Sequence, residues 1–327
     1  MADESAERHD PNGYMAYAGD YHAPVLWKTV VERLVTNPDG LYVDGTLGGG
    51  GHTSALLDAL SSNGRVVALD RDDEAINWSR KRLANAIDAN RFIPLRSNFV
   101  EVESALESIG VRIVDGLLLD LGVSSHQVDA ADRGFSFRFS ADLDMRMDRR
   151  AERSARDLLN EIDENDLKHL LFRYGEEPRA AQIARAVVRS RPLRTTDDLA
   201  LAVRSAVPNR VEKKSLARVF QAIRIDVNAE LKALLLVLEA ATRIVRPGGR
   251  LVVISYHSLE DRLVKHFLRS GNADDVLRRD TYGNVLSEWK PVGRKAIKAS
   301  PQEIALNPRA RSARMRTGER TSYRSTT

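Results

Sequence analysis

A glycine-rich turn at the end of a short apolar run is the feature of this sequence best suited to hold a ligand. Residues 41–53 read Leu-Tyr-Val-Asp-Gly-Thr-Leu-Gly-Gly-Gly-Gly-His-Thr, so the apolar run ends at Asp44 and the glycines follow at 48–51. Glycines let a backbone approach a ligand closely and adopt positive φ. In open α/β sheets, dinucleotides and S-adenosylmethionine both bind at such a turn after the first strand.

The charge of Asp44 separates these two cofactor classes. A dinucleotide places a pyrophosphate at the N-terminus of the following helix, where a carboxylate would repel it. S-adenosylmethionine has no phosphate, and its ammonium and sulfonium groups are attracted to a nearby carboxylate. The dinucleotide fingerprint G-x-G-x-x-G also fails, because counting from Gly48 and Gly50 places Thr53 at the third glycine position. The turn therefore predicts S-adenosylmethionine, with Asp44 among the residues that bind it.

Two further acidic residues end apolar runs and are expected near the same cofactor. Asp70 ends the run 66–70, at 20 residues after Gly50, where an acid can accept hydrogen bonds from ribose hydroxyls. The alternative is that Asp70 caps the next helix, a role that Asp72 or Asp73 could fill equally well. Asp120 ends a later run, and ligands of parallel sheets bind at the carboxyl ends of strands. We therefore expect Asp120 beside the reactive end of the cofactor.

A polar segment follows the last long apolar run. Ser255-Tyr-His-Ser-Leu-Glu-Asp-Arg262 places His257, Glu260 and Asp261 at a strand end, where they are expected to face the same crevice. His257 is for this reason a candidate functional residue, the alternative being a structural histidine. None of the seven histidines has a spacing typical of a metal site, so no metal is expected.

The elements that position these residues follow a βα alternation that is interrupted once. The apolar runs alternate with helical patterns, which predicts a mostly parallel sheet with helices on both faces. Between 132 and 223 the sequence shows only helical spacing, which predicts an inserted helical domain. The cofactor-binding domain is then 21–131 with 224–327, and 1–20 is a disordered extension. The apolar runs are 41–43, 66–69, 92–95, 116–119 and 250–255.

Composition predicts a globular protein, and its unevenly placed basic residues suit a polyanionic partner or, alternatively, form a solvated face. Hydrophobic residues make up 43% of the 327, and the absence of cysteine excludes disulfides and cysteine nucleophiles. The longest apolar stretch, 233–238, is too short for a membrane span, so we expect a cytoplasmic protein with no membrane partner. The sequence from Lys290 onward contains ten basic residues and only two acidic ones. Alternation in 312–317 predicts an edge strand whose Arg314 and Arg316 contact phosphates or, alternatively, keep the edge soluble.

These segments, together with several others, resemble the bacterial 16S ribosomal RNA cytosine-N4-methyltransferases. The resemblance runs from about 22 to 320, with one departure at His126, where the family usually has proline. The matching motifs are Asp44-Gly-Thr-Leu-Gly-Gly-Gly-Gly-His-Thr, Leu118-Leu-Asp-Leu-Gly-Val-Ser-Ser, Arg133-Gly-Phe-Ser-Phe, Leu143-Asp-Met-Arg-Met-Asp, Tyr174-Gly-Glu-Glu, Phe220-Gln-Ala-Ile-Arg-Ile, Pro247-Gly-Gly-Arg-Leu, His257-Ser-Leu-Glu-Asp-Arg and Asn307-Pro-Arg-Ala-Arg-Ser.

The resemblance implies a Rossmann-like class I methyltransferase that acts at N4 of a cytidine in the decoding region of small-subunit ribosomal RNA. It implies 16S ribosomal RNA as the partner, within the small ribosomal subunit. It also implies that S-adenosylmethionine contacts Gly50, Gly51, His52, Asp70, Phe99, Asp120 and Gln127.

Methyl transfer to N4 of cytosine needs a group that accepts a proton from this exocyclic amine. The lone pair of the exocyclic amine is delocalised into the ring, and a hydrogen-bond acceptor on its protons would localise that pair. Asp120 and His257 are both candidates, and the sequence does not choose between them. The target base must leave its stack, for which the arginines of the insert are a candidate clamp. The competing interpretations are a dinucleotide oxidoreductase and an RNA-binding protein that has lost catalysis.

Overall fold

Residues 1–122 and 233–327 form one unit of the structure, and residues 123–232 form a second. The insert proposed from the sequence, 132–223, lies nine residues inside each end of the second unit. The structure, a computed structural model, describes residues 10, 13–18, 23–122 and 133–323.

The first unit is built on a seven-stranded sheet in the order β3-β2-β1-β4-β5-β9-β8. Strands β1 to β5 pair in parallel, and β9 pairs antiparallel with both β5 and β8. This arrangement confirms the predicted Rossmann-like α/β fold with a mostly parallel sheet. The strands are β1 (Leu41–Asp44), β2 (Arg65–Asp70), β3 (Phe92–Arg96), β4 (Val114–Asp120), β5 (Val245–Ser255), β8 (Trp289–Pro291) and β9 (Arg314–Arg320); β6 (Arg278–Arg279) and β7 (Val285–Leu286) form a separate hairpin.

The prediction that the C-terminal strand lies at the edge of the sheet is wrong. Strand β8 pairs with β9, with Trp289 opposite Arg320 and Pro291 opposite Gly318. Strand β8 has only three residues, which is too short to show the alternation of apolar and polar residues that predicts a strand. The strand that pairs with the outer side of β9 could therefore not be predicted from the sequence. Pro291 lies on this true edge strand, where a missing backbone donor is tolerated.

Two apolar layers cover the sheet because its central strands are apolar on both faces. Along β4, Leu117 and Leu119 are fully buried in one layer, and Leu118, which points to the opposite face, is fully buried in the other. The helices of this unit are α1 (Trp27–Leu34), α2 (Gly51–Ala59), α3 (Asp73–Arg82), α4 (Ala84–Asp88), α5 (Val102–Glu107), α12 (Ser258–Ser270) and α13 (Pro301–Leu306), with α11 (Glu230–Ile244) running from the second unit into β5.

Part of the segment expected to be disordered is ordered. Residues 13–18 form a turn in which Trp27 Nε1 donates to the Gly13 carbonyl at 3.1 Å. The rings of Tyr17 and Trp27 meet edge to face at 4.8 Å, and Arg82 Nη2 donates to the Tyr17 carbonyl at 2.8 Å. The aromatic residues give this short polar segment a packing partner on α1, which the lack of periodicity did not reveal.

The second unit contains helices and, among its described residues, no strand beyond an isolated bridge between Asp142 and Thr195. Thr195 is the N-cap of one helix through a capping box with Asp198. Phe137 meets Phe220 edge to face at 5.5 Å, as expected of a core residue. The helices are α6 (Ala155–Glu161), α7 (Glu164–Gly175), α8 (Ala180–Arg189), α9 (Thr196–Ala206) and α10 (Glu212–Val227).

None of the helices in the described parts of the chain has the length and apolar character required to cross a bilayer.

Candidate active site

The carboxylate of Asp44 is fixed at the end of β1 by the turn that follows it. Asp44 is fully buried, and its Oδ2 accepts a hydrogen bond from Thr53 Oγ1 at 2.8 Å. Its Oδ1 accepts one from the backbone N–H of Thr46 at 3.1 Å. Burial raises the pKa of Asp44, while the nearby His52 and the Thr53 hydroxyl act in the opposite direction. Two threonines that the sequence motifs did not mark as functional therefore hold the first site carboxylate.

The glycine-rich turn needs its glycines for conformation and for close packing within the protein. Gly48 and Gly50 have φ of +48° and +73°, a region that other residues rarely adopt. A Cβ added to Gly50 would lie 3.0 Å from the Ser79 hydroxyl, and one added to Gly51 would lie 3.0 Å from the Pro24 ring. The described neighbours of this turn are thus α3 and the segment before α1.

Asp70 joins the end of β2 to the glycine turn. Its Oδ2 accepts a hydrogen bond from the Gly48 N–H at 2.9 Å, and its Oδ1 accepts one from Asp72 N–H at 2.9 Å. The alternative role considered for Asp70, capping α3, is filled by Asp72, whose carboxylate accepts from Glu74 N–H at 2.9 Å. Burial is the largest cause of the raised pKa of Asp70. Each carboxylate oxygen can accept a further hydrogen bond.

Asp120 links the ends of three neighbouring strands. Its N–H donates to Thr46 Oγ1 at 2.8 Å, and the Tyr256 hydroxyl, just after β5, donates to Asp120 Oδ1 at 2.8 Å. On the other side, His52 Nε2 lies 3.4 Å from Oδ2. Burial raises the pKa of Tyr256 well above its ordinary value, so this hydroxyl remains a donor. The Asp120 side chain keeps 22% of its surface exposed, which leaves it open to a ligand.

Tyr256 and Thr46 hold Asp120 in place, and neither contact was predicted from the sequence. Both occur inside motifs that carry the family resemblance or the polar strand end, Tyr256 beside His257 and Thr46 two residues after Asp44. A signal was available only for Thr46, because a hydroxyl two residues after a strand-end carboxylate can donate to it, as Thr46 Oγ1 does to Asp44 Oδ1 at 3.4 Å.

His257 is the N-cap of α12 and is engaged with its own helix. Its Nδ1 accepts a hydrogen bond from Glu260 N–H at 3.4 Å, and its Nε2 lies 3.1 Å from Glu260 Oε1. The side chain is 7% exposed. Glu260 Oε2 in turn accepts from Tyr256 N–H at 2.9 Å. Two of the polar residues that the sequence places at this strand end, His257 and Glu260, therefore cap helix α12.

Phe99 opens a short 3-10 turn, Phe99–Glu101, after β3 and is half-buried. A Cβ added to Gly45 would lie 3.5 Å from the Phe99 Cβ, so the aromatic residue lies beside the end of β1. Gln127 and His126 lie outside the described residues.

The arginines of β9 are paired with an acid of α12. Arg316 Nε lies 2.6 Å from Asp261 Oδ1, and Arg314 Nη1 lies 3.3 Å from Asp261 Oδ2. By contrast, the side chains of Lys290, Arg294, Lys295 and Lys298 are exposed and have no ion-pair partner among the described residues. Most of the positive charge that remains available to a polyanion in this region therefore lies before β9.

Comparison with known proteins gives one consistent family. The sequence profile of the MraW methylase family matches residues 20–321. A ribosomal RNA small subunit methyltransferase H of Flavobacterium johnsoniae is 45% identical, covering 92% of this chain and 98% of that protein. Its counterpart of the same name in Porphyromonas gingivalis is 46% identical over 92% of this chain and 97% of that protein. A SAM-dependent O-methyltransferase structure from Thermotoga maritima aligns at 11% identity, with a TM-score of 0.39, over 91% of this chain and 66% of that chain.

Proposed function

Because the chain belongs to the MraW methylase family, we propose that it transfers the methyl group of S-adenosylmethionine to N4 of a cytidine in the decoding region of small-subunit (16S) ribosomal RNA. Its 45–46% identical relatives carry the name ribosomal RNA small subunit methyltransferase H, and they align with it over nearly their whole length. The single observation that carries the proposal is this match over residues 20–321, on a chain whose strands β1, β2 and β4 end in Asp44, Asp70 and Asp120.

The residues at the strand ends fit S-adenosylmethionine by their charge and hydrogen-bonding capacity. Three carboxyl groups lie at the ends of β1, β2 and β4, where a cationic ligand with ribose hydroxyls finds both attraction and acceptors. Both ring nitrogens of the buried His52 lack a hydrogen-bond partner among the described residues, as expected if a ligand completes this part of the site. The residues that would hold the cofactor are Asp44, Gly50, Gly51, His52, Asp70, Phe99, Asp120 and Gln127.

Asp120 is the favoured acceptor for the proton of the cytosine amine. S-adenosylmethionine supplies, when bound, an electrophilic methyl group. The Tyr256 hydroxyl fixes one oxygen of Asp120, and the partly exposed carboxylate can accept a hydrogen bond from N4 and localise its lone pair. His257 is the second candidate, but its two nitrogens are directed to Glu260 and it is 7% exposed. The geometry therefore supports Asp120 over His257.

The substrate is proposed to be ribosomal RNA within the small subunit. The four exposed basic residues between 290 and 298, which have no acidic partner in the described part of the chain, suit a polyanion. The arginines of the second unit are candidates to hold a base that has left its stack. The oxidoreductase interpretation has no support in the family comparison, and a binding assay with NAD against S-adenosylmethionine separates the two directly.

Transfer of a labelled methyl group tests the proposal. The purified protein is incubated with labelled S-adenosylmethionine and with small or large ribosomal subunits. We expect label in 16S ribosomal RNA from small subunits, and digestion to nucleosides should yield N4-methylated cytidine. Label in the large subunit alone, or in another nucleoside, would refute the assignment. Binding of S-adenosylmethionine without transfer to any subunit would favour the RNA-binding interpretation.

A further inference from the structure

His52 is a buried titratable group that the proposed mechanism leaves without a chemical role. It lies in the first turn of α2, is 6% exposed, and neither ring nitrogen has a hydrogen-bond partner among the described residues. Its Nε2 and Asp120 Oδ2 are 3.4 Å apart, close enough for an ion pair although not aligned as a hydrogen bond. Buried polar groups are normally satisfied, and a bound cofactor can complete the hydrogen bonds of this imidazole without giving it a part in the reaction.

Carboxyl groups from three different elements surround His52 with negative charge. Asp44 ends β1, Asp120 ends β4, and Glu303 lies in α13, where it is 4% exposed and accepts a hydrogen bond from Leu26 N–H at 2.7 Å. Burial raises the pKa of Asp44 and of Glu303, and the charge of His52 acts in the opposite direction on both. Asp120 lies within ion-pair distance of His52 Nε2, at 3.4 Å, and is partly exposed, so its carboxylate is placed between a bound ligand and the imidazole.

The charge of the cofactor changes during methyl transfer in a way that complements this cluster. Asp44 and Asp120 would hold S-adenosylmethionine, whose sulfonium would bring one positive charge to these carboxylates before transfer. After transfer that sulfur is neutral, and at the same step the amine must lose a proton. A buried group that takes up this proton keeps the net charge of the site unchanged, which avoids leaving carboxylates buried without a counter-charge.

We propose that His52 takes up the proton that leaves N4, by way of Asp120. The N4–CH3 bond forms as the S–CH3 bond breaks, the proton passes from N4 to Asp120 Oδ2, and from there to His52 Nε2. His52 does not touch the amine in this account, so it is a positioning residue that acts through Asp120. The proposal rests on the proposed function for the identity of the amine, but the coupling between cofactor charge and His52 can be measured without RNA.

The test compares proton uptake on binding of S-adenosylmethionine with that on binding of S-adenosylhomocysteine. Calorimetric titrations in buffers of different ionisation enthalpy give the number of protons bound with each ligand. In the wild-type chain, S-adenosylhomocysteine, whose sulfur is neutral, should bring more protons into the site than S-adenosylmethionine with its cationic sulfur. His52→Gln should abolish this difference, and Glu303→Gln, which keeps an acceptor for the Leu26 N–H, should reduce it.

His266→Gln is the matched control. His266 also lies near a carboxylate, with Nδ1 at 3.5 Å from Asp275, but it is in α12 and 34% exposed, so the difference in proton uptake should remain. Equal proton uptake for both ligands in the wild type would overturn the inference while leaving the cofactor assignment intact. Loss of the difference in His257→Gln, but not in His52→Gln, would transfer the role to His257. Failure of both ligands to bind would instead contradict the proposed function.

Discussion

Two charged regions of the first unit differ in whether their charged side chains are buried and hydrogen-bonded or exposed. At the ends of β1, β2 and β4 the acids are buried or half-buried, and backbone N–H groups and hydroxyls hold Asp44, Asp70 and Asp120 in place. In the C-terminal region, the basic residues between 290 and 298 are exposed and unpaired among the described residues. Fixed, partly desolvated acids suit a small cation that must be held precisely, whereas exposed bases suit a long polyanion whose contacts are individually weak.

The same contrast appears inside the basic region. Arg314 and Arg316 share the single carboxylate of Asp261, so one of their two positive charges is already compensated, although the sequence presented them as part of one basic run with the residues before them. Pairing with an acid 53 and 55 residues away decides which of these charges an RNA can use. Substitutions of the strand-end acids should consequently affect cofactor binding and methyl transfer, whereas substitutions of the exposed bases should affect RNA binding.

The largest effect is expected at the acid nearest the reacting amine. Asp120→Asn should lower the single-turnover rate of methyl transfer by about 10²- to 10⁴-fold, the contribution of a positioned proton acceptor. Asp115→Asn is a matched control at the other end of β4, where Asp115 accepts from Leu41 N–H at 2.8 Å and pairs with Arg246. It should affect stability and leave the rate unchanged. Rapid-quench measurements on both variants check this, and equal losses would remove Asp120 from the chemistry.

A smaller effect is expected on cofactor affinity. Asp70→Ala should weaken S-adenosylmethionine binding by about 1.5–3 kcal/mol, the scale of lost hydrogen bonds to a charged group. The neighbouring Asp72→Ala removes the cap of α3 and should cost about 1 kcal/mol of stability with little change in binding. Calorimetric titration and urea unfolding separate the two effects. Unchanged affinity in Asp70→Ala would dismiss the ribose assignment.

The two groups of basic residues should differ in the salt dependence of RNA binding. Replacing Arg294, Lys295 and Lys298 by glutamine should reduce the slope of log K against log salt by roughly 0.7–0.9 for each phosphate that is no longer neutralised. Replacing Arg314 and Arg316 by glutamine should reduce that slope by less, because Asp261 already compensates one of their two charges. Binding of small subunits at several salt concentrations provides the measurement. A reduced slope only in the Arg314 and Arg316 variant would show that the exposed residues are not the RNA footprint.

The smallest effect concerns pH and stability. Burial tends to raise the pKa of Asp261, but Arg316 and Arg314 outweigh it, so the pKa is lowered in the folded chain. The stabilising contribution of this carboxylate is therefore present above the ordinary carboxyl range, near pH ~4, and is lost as the pH falls through the folded value. Unfolding free energies measured from neutral pH down to about pH 3 should fall less steeply in Asp261→Asn than in the wild type. If the unfolding free energies of the two proteins change with pH in parallel, the pairing of Asp261 with the arginines contributes nothing to stability.

The sequence predicted the elements whose signal is local. Each strand from β1 to β5 is an apolar run ending at a turn, and Asp44, Asp70 and Asp120 could be placed at strand ends from that pattern alone. It could not predict the three-residue β8 or the pairing of Arg316 with Asp261, because neither leaves a periodic trace. Such features depend on which distant elements meet.

The hydrogen-bond network around the site shows the same limit. Tyr256 is separated from Asp120 by 136 residues, and Glu303 from Leu26 by 277, so their contacts follow from the sheet order rather than from local spacing. The sequence supplied the carboxylates and the glycine turn. The groups that hold these carboxylates by hydrogen bonds could be identified only from the structure.

The central claim, methyl transfer to N4 of a decoding-region cytidine, is tested most directly by mass mapping of small-subunit RNA. RNA from cells that lack this protein should miss one methyl group on a cytidine of the 16S decoding region. Supplying the wild-type chain should restore it, and supplying Asp120→Asn should not. A decoding-region map that is identical with and without the protein would contradict the account.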